Sequence, residues 1–434
     1  MQRQTRKKGG HRIAPTTKKR KKALTTFRWI RVLVLLAFAP AALSFETVDT
    51  IPWPTAGHFR GYPAEMPHPW GLWIQGGVMR DSNVLRVPVD KRVEWITRVG
   101  VGVRSEGLII GRQRALIEVA GEHYEYLRFD ELDHFAHAMR GEWLWEFTND
   151  LSGTLGASRR RRLADVGEIQ RPVRDLVTED RFYGSGAWRL GPTVRLTGGG
   201  DVAHIEHSSR GVRQAWAYGV RGGADYVTPV GTALGAEYRI ARGDAPVVEE
   251  LGLGAFPRNE YEEREVALTA SYRLGVDITA SGRIGRTTRT YTELQGRDFK
   301  GTTWRGRGEW RLGPKTTLAG DIYKEPAAIV DTDALHVVRR GIGVGPSWAA
   351  TYKLVFTGRY VWERRLYQGD PAVSILSATL RDERYDTVRL GAGWEPQRHV
   401  QLGGAVDYGR RDSNVTGRDY GYYAVTLNLR WTYF

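Results

Sequence analysis

Beyond residue 67 the chain alternates apolar and polar residues over about eighteen segments of ~9–14 residues, the pattern of strands with one apolar and one polar face. In the stretch from Trp304 to Leu312, one face collects Trp304, Gly306, Gly308, Trp310 and Leu312, and the other collects Arg305, Arg307, Glu309 and Arg311. Arg140 and Glu142 alternate in the same way with Gly141, Trp143 and Trp145, as do Arg359 and Glu363 with Phe356, Gly358, Tyr360 and Trp362. Glycine fills a soluble core poorly but is tolerable against lipid. The pattern therefore predicts an all-β, antiparallel, up-and-down transmembrane barrel of about 18 (16–18) strands, with its apolar face outward and its charged face on a polar lumen.

The connections alternate in length. Those at 189–193, 227–231, 273–277, 312–315 and 395–398 are short, whereas those near 159–180, 242–260, 289–300, 324–336 and 367–383 are longer and more charged. Short periplasmic turns and long outer loops are the expected asymmetry of such barrels. A turn followed by Leu or Ile and then Gly recurs roughly every 40 residues, as in Leu196/Gly198, Leu318/Gly320 and Leu402/Gly404. A β-propeller has a similar period but packs four short strands into each repeat. Two long strands fit here instead. The final strand places Tyr423, Val425, Leu427, Leu429, Trp431 and Tyr433 on one face. Leu429, Trp431, Tyr433 and the terminal Phe434 resemble the barrel-assembly signal of outer-membrane proteins, with Tyr433 in the lipid register and Phe434 one step out of it.

Charge changes the picture only once it is located. The formal charge of +15 would suggest nucleic acid, but residues 1–44 hold 12 of the 64 basic residues and none of the 49 acidic ones. The remaining 52 basic residues nearly balance 49 acids, which argues against nucleic acid as a partner. Residues 3–31 form a basic stretch, Val32–Ala39 an apolar core, and Ala42 and Ser44 the small residues of a cleavage site, so 1–44 reads as a signal peptide cut after Ser44. The apolar core falls short of the ~20 residues a membrane helix needs. Residues 45–67 read as an irregular periplasmic or plug-like segment, and 68–434 as the barrel. The chain has no cysteine, which excludes disulfides, Cys-ligated metal and a lipidated N-terminal Cys. Of the basic residues beyond 44, only five are Lys. Arg offers a planar fork for carboxylates and sugar hydroxyls.

Four stretches carry a family likeness: Arg80-Asp81-Ser82-Asn83-Val84-Leu85-Arg86, Gly111–Ile117, Tyr126–Asp133 and Trp143–Gly153. Over about 67–163 the chain resembles the EpsL-type outer-membrane proteins of exosortase-associated exopolysaccharide operons. The recurring Arg-Leu-Gly-Pro hairpins extend the likeness loosely to the C-terminus. It implies a barrel taking part in export or assembly of an extracellular polysaccharide, and it brings no catalytic residues with it.

Motifs that could carry chemistry are weak. His134 and His137, three apart on a strand, point to opposite faces and make a poor metal pair. Asp81-Ser82-Asn83 and Asp412-Ser413-Asn414 lack a partner base and read as turns that bond their own backbone. Glu249-Glu250 and Glu262-Glu263 read as solvated loop acids, and Arg159–Arg162 as a solvated strand end or a phosphate grip. No enzyme, cofactor or metal is expected. The best functional constellation is the lumen face itself: Arg98, Arg114, Glu118, Arg140, Glu142, Arg305, Arg307, Glu309, Arg311, Arg359, Arg389 and Arg430 are expected to line it and contact a passing glycan. Trp143, Trp310, Trp362 and Trp394 are expected in interfacial girdles. The reading is thus a monomeric bacterial outer-membrane barrel that passes or guides exopolysaccharide. Its expected partners are outer-membrane lipid, lipopolysaccharide, the barrel-assembly machinery, that extracellular polysaccharide and periplasmic export proteins. The alternatives are a closed barrel that recruits export partners and a general diffusion porin.

Overall fold

A computed structural model describes residues 70–434 apart from 210–213, 246–258, 276, 294–297, 328–336, 368–380 and 434. The signal peptide with Ala42 and Ser44, the 45–67 segment, Glu249-Glu250 and Phe434 lie outside the described residues. The strands of the first half are β1 (Trp70–Asp81), β2 (Glu94–Ile110), β3 (Gln113–Tyr126), β4 (His134–Glu146), β5 (Leu151–Leu163), β6 (Leu176–Leu190), β7 (Val194–His207), β8 (Ala215–Val227) and β9 (Ala233–Ala245). Those of the second half are β10 (Asn259–Leu274), β11 (Ile278–Tyr291), β12 (Phe299–Arg311), β13 (Thr316–Ala327), β14 (Val337–Ala349), β15 (Leu354–Tyr367), β16 (Asp382–Gln397), β17 (Val400–Ser413) and β18 (Tyr420–Tyr433). A four-residue helix, α1 (Val166–Ile169), lies between β5 and β6.

Each strand pairs antiparallel with its sequence neighbours, and β1 pairs with both β2 and β18, so the 18-stranded sheet closes on itself. Closure removes the edges that would otherwise expose unpaired backbone. The turns from β2–β3 round to β16–β17 hold two to five residues, and the connections at the other end hold six to fourteen. Two of the short turns use left-handed glycines, Gly111 at φ +55° and Gly191 at φ +74°, where a β-carbon would be strained.

The alternation read from the sequence sets the two faces. On β2, Trp95, Val99, Val101 and Val103 are exposed outward, while Glu94, Arg98 and Gly102 face the lumen. Gly102 has no side chain because the Trp73 ring lies where its β-carbon would be, 2.3 Å away. Aromatic rings ring the outside near the short-turn end, among them Trp143, Trp188, Trp310, Trp348, Trp394 and Trp431. A second set, including Trp95, Phe182, Trp216 and Tyr408, sits toward the long-loop end. Trp362 also faces outward, against Arg340. Between the two rings lie Val101, Val220, Leu268, Ile284, Leu390 and Leu427, all exposed. A continuous apolar belt between aromatic girdles on a closed, even-stranded barrel is the exterior of a bacterial outer-membrane protein. In water such a belt would aggregate. Leu429, Trp431 and Tyr433 face outward in the belt.

Several boundaries differ from expectation because the strands run further toward the long-loop end. The connection placed near 159–180 begins only after Leu163: Arg159–Arg162 is the end of β5, with Arg162 facing the lumen 3.2 Å from Glu179 and Arg159 facing outward 3.5 Å from Asp180. Glu262 and Glu263 are not loop acids. Both lie in β10, with Glu262 outward between Arg242 and Arg264, and Glu263 buried at the lumen. Extended pairing with β9 and β11 reaches beyond them, so alternation parts the two carboxylates. The Glu395–Gln397 stretch is a register shift at the end of β16 rather than a turn. Pro396, with no N–H to give a ladder, fits such an irregularity.

Candidate functional site

Extended backbone turns the lumen face into rows of guanidinium and carboxylate groups. Antiparallel register then brings rows from neighbouring strands together. Arg98 meets Glu122 at 3.2 Å, Arg140 meets Glu142 at 2.7 Å, and Arg389 meets Asp407 at 3.1 Å. Arg114 pairs with Glu106, and Arg359 reaches past the β14 glycines to Asp321. Glu118 stands opposite Arg104 and Arg140 in register. Arg430 lies over the Trp73 ring at 4.4 Å. Arg307, Glu309 and Arg311 follow Arg305 along the inner face of β12, ending at the short-turn mouth. All twelve sequence-derived candidates thus fall on the lumen face. They are spread around the wall rather than gathered at one point.

In most of these pairs the guanidinium is the partner left open to the lumen. The Arg140 side chain is 50% exposed and its partner Glu142 11%. Arg195 and Asp225 stand at 37% and 13%, and Arg283 and Glu265 at 30% and 7%. Arg98 against Glu122, Arg162 against Glu179 and Arg339 against Glu325 reverse the order. The carboxylates neutralise the wall from behind, while the fixed forks of Arg face the lumen with donors to spare.

Near the long-loop end the pairs join into a chain. Arg305 meets Glu325 at 2.6 Å, Glu325 meets Arg339 at 2.8 Å, Arg339 meets Glu363 at 3.8 Å, and Glu363 meets Arg365 at 2.5 Å. The next carboxylate is Glu168 of α1, 3.5 Å from Arg365. α1 belongs to the β5–β6 connection, whereas Arg365 is on β15, nine places round an eighteen-strand ring from β6. The 164–175 segment therefore folds inward and crosses the lumen. Its local sequence holds that shape. Asp165 caps the helix by accepting from Gly167 N at 2.8 Å, and Gln170 ends it in the left-handed region at φ 54°. Pro172 then prevents continuation. Ile169 packs on buried Ala164, Val177 and Ile205. Gln170 Nε2 donates to the Arg86 and Gly417 carbonyls at 2.9 and 3.2 Å.

Glu168 is buried. Its Oε2 accepts from Arg381 Nη2 at 2.8 Å and Arg418 Nη1 at 3.5 Å, and its Oε1 from Tyr385 OH at 3.1 Å and Arg411 Nη1 at 3.3 Å. Burial alone would push this carboxyl upward, but Arg381, then Arg411 and Arg365, hold it below the usual carboxylate range despite nearby Glu383. Neither α1 nor this cluster was expected from the sequence. Asp165, Gln170 and Pro172 could have signalled the short helix, but its partners lie some 200 residues away.

Beside the segment, the end of β1 and the start of the β1–β2 connection fold into a cap. Arg86 grips Asp81 through two bonds of 2.8 and 2.7 Å and lies 3.6 Å from the Tyr422 ring. Asn83 N donates to Asp81 at 2.8 Å, so this stretch is the self-bonded turn the sequence implied. Leu132, from the Tyr126–Asp133 stretch, packs with Val84 and Met79 in the same cluster. Asp412 and Ser413 differ from that expectation: they close β17 by pairing with Arg384 and Glu383, and only Asn414 lies beyond the strand, with Val415 N donating to Ser413 Oγ at 3.1 Å. His134 points inward and stacks on Tyr124, while His137 points out.

No family model matches the chain, and no curated protein matches it. Among solved structures, the chain is similar to the outer membrane protein OpdK from Pseudomonas aeruginosa, at 12% identity over 84% of this chain and 99% of that chain, with a TM-score of 0.46. It is also similar to Pseudomonas aeruginosa OccK2 (OpdF) in complex with glucuronate, at 12% identity over 84% and 98%, with a TM-score of 0.46. A third is Acinetobacter baumannii OccAB3, at 10% identity over 84% and 98%, with a TM-score of 0.44.

Proposed function

We propose that this barrel is an outer-membrane channel that passes or guides anionic, hydroxyl-rich solutes, and that its physiological cargo is an acidic extracellular polysaccharide. The observation that carries the reading is the exposure of guanidinium over carboxylate along the lumen wall. A surface of shallow, repeated cationic forks holds carboxylates and hydroxyls weakly at many points, and conduction requires contacts weak enough to release. Eighteen strands give a barrel of the size that encloses an aqueous channel. The polysaccharide class comes from the EpsL-type resemblance, and the broader alternative is a general anion-preferring diffusion porin.

The test is single-channel conductance of the refolded barrel in a planar bilayer. Polygalacturonate added to one side is expected to block the current in a concentration-dependent way, and neutral dextran of the same length is not. Equal block by both polymers would favour the general porin. A folded barrel with no conductance would sink the channel reading. The crossing of the lumen by 164–175 gives specific support to a second reading, a closed barrel that recruits periplasmic export partners.

A further inference from the structure

We propose that Arg365, Arg381, Arg411 and Arg418, with Tyr385, form a carboxylate-binding cage for uronic-acid-type ligands, and that Glu168 occupies it as an internal stand-in that latches the 164–175 segment across the lumen. The ligand class follows from the occupant, because both carboxylate oxygens of Glu168 are received by charged donors and a phenol. Charge-assisted bonds of this kind are the strong ones.

The cage is built without Glu168. Arg381 lies 3.8 Å from the Tyr367 ring centroid and donates to Glu383 at 2.8 Å. Arg365 is held by Glu363 at 2.5 Å and lies 4.1 Å from the Tyr385 ring. Arg411 donates to the Arg418 carbonyl at 2.7 Å and lies 4.6 Å from the Tyr420 ring. Arg411 Nη2 is buried and hydrogen-bonds to nothing among the described residues. Among the described residues, four guanidiniums stand against three carboxylates, Glu168, Glu363 and Glu383, so withdrawing Glu168 leaves a preformed and more strongly cationic pocket flanked by aromatic rings. Such a pocket suits a sugar acid, with the carboxylate on the forks and the ring on the phenols.

The latch and the ligand therefore compete. Glu168 is tethered, which gives it an effective concentration of the millimolar order or above against free solute. A single sugar acid competes poorly with it, and a chain of them competes better. Ligand binding in the cage releases the segment and widens the lumen, a shift driven only by differential affinity for the unlatched state. This gating rests on the channel reading. The occupancy of the cage does not.

The experiment uses the full refolded barrel, with heat-modifiable gel mobility as the check of folding. Calorimetric titration with sodium glucuronate, and with glucose as the neutral control, is run on wild type, Glu168→Gln and the double variant Glu168→Gln/Arg381→Gln. Glu168→Gln is expected to bind glucuronate at least tenfold more tightly than wild type, with no gain for glucose, and the double variant is expected to lose that gain. In bilayers, Glu168→Gln is expected to raise the open conductance severalfold. Equal glucuronate binding by folded wild type and Glu168→Gln would overturn the cage. A binding gain without any conductance in either protein would leave the cage standing and sink the channel. Conductance that is present but identical in both would overturn the latch.

The latch also has a stated pH dependence. Facing Glu168 are Arg365, Arg381, Arg411 and Arg418, with Tyr385 and Glu383 beside them. A carboxyl held below its ordinary value contributes its stabilisation above that value and loses it as pH falls through the depressed one. Wild-type conductance is thus expected to stay flat from pH 8 to pH 5 and to rise only below the ordinary glutamate value of about 4.3. A transition centred near neutrality would contradict the assignment to Glu168.

Discussion

Removing Glu263 is expected to cost the barrel about 3–5 kcal/mol, the usual penalty for breaking a buried ion pair. Glu263 lies 2.5 Å from Arg239 and 2.6 Å from Arg289, with all three side chains shielded from solvent. Glu263→Gln leaves two desolvated guanidiniums facing each other across β10. Glu262, one residue earlier, is the internal control. It faces outward near the long loops, paired with Arg242 and Arg264, whose side chains are largely exposed. Glu262→Gln is therefore expected to cost far less than Glu263→Gln, because exposed, screened pairs contribute little. Urea unfolding in lipid vesicles measures both. Equal losses would mean that the two carboxylates share one environment and that the faces of β10 are wrongly assigned.

The second large effect tests the exterior. Leu268 is 64% exposed in the apolar belt, midway along β10. Leu268→Arg places a charge at the level of the bilayer midplane, where the cost is about 2–4 kcal/mol, or roughly 30- to 700-fold in the folding equilibrium. Ser271, three residues on, points into the lumen opposite Ala233 and Ser281. Ser271→Arg is expected to stay within about 1 kcal/mol, because a wet, polar face accepts another guanidinium. The reverse order of costs would turn the barrel inside out.

The contrast between these residues explains how much the sequence could disclose. Strand number and facing were legible because a period of two is a local property, and each of the twelve lumen candidates inherits its side from its own strand. The turn at Gly191 was legible because a short hairpin needs left-handed backbone there. Strand ends at the long-loop side were not, because pairing with neighbours, rather than composition, decides how far a charged stretch stays extended. Glu262-Glu263 read as loop acids by charge alone and became strand through their partners on β9 and β11. The cage was least legible. Glu168, Arg365, Arg381 and Arg411 come from distant parts of the chain, and no local spacing joins them. Barrel closure brings them together. The Arg80–Arg86 text carried the family likeness, and the structure gives it a physical role: Asp81 and Arg86 bind each other, and the Arg86 carbonyl receives Gln170.

The most direct test of a guanidinium-faced channel is the reversal potential of the folded barrel across a potassium chloride gradient, measured for wild type and Glu168→Gln. The expected result is a stable conductance with chloride favoured over potassium in both proteins, larger in the variant. Potassium preference, or silence in both proteins with the barrel shown to be folded, would contradict it.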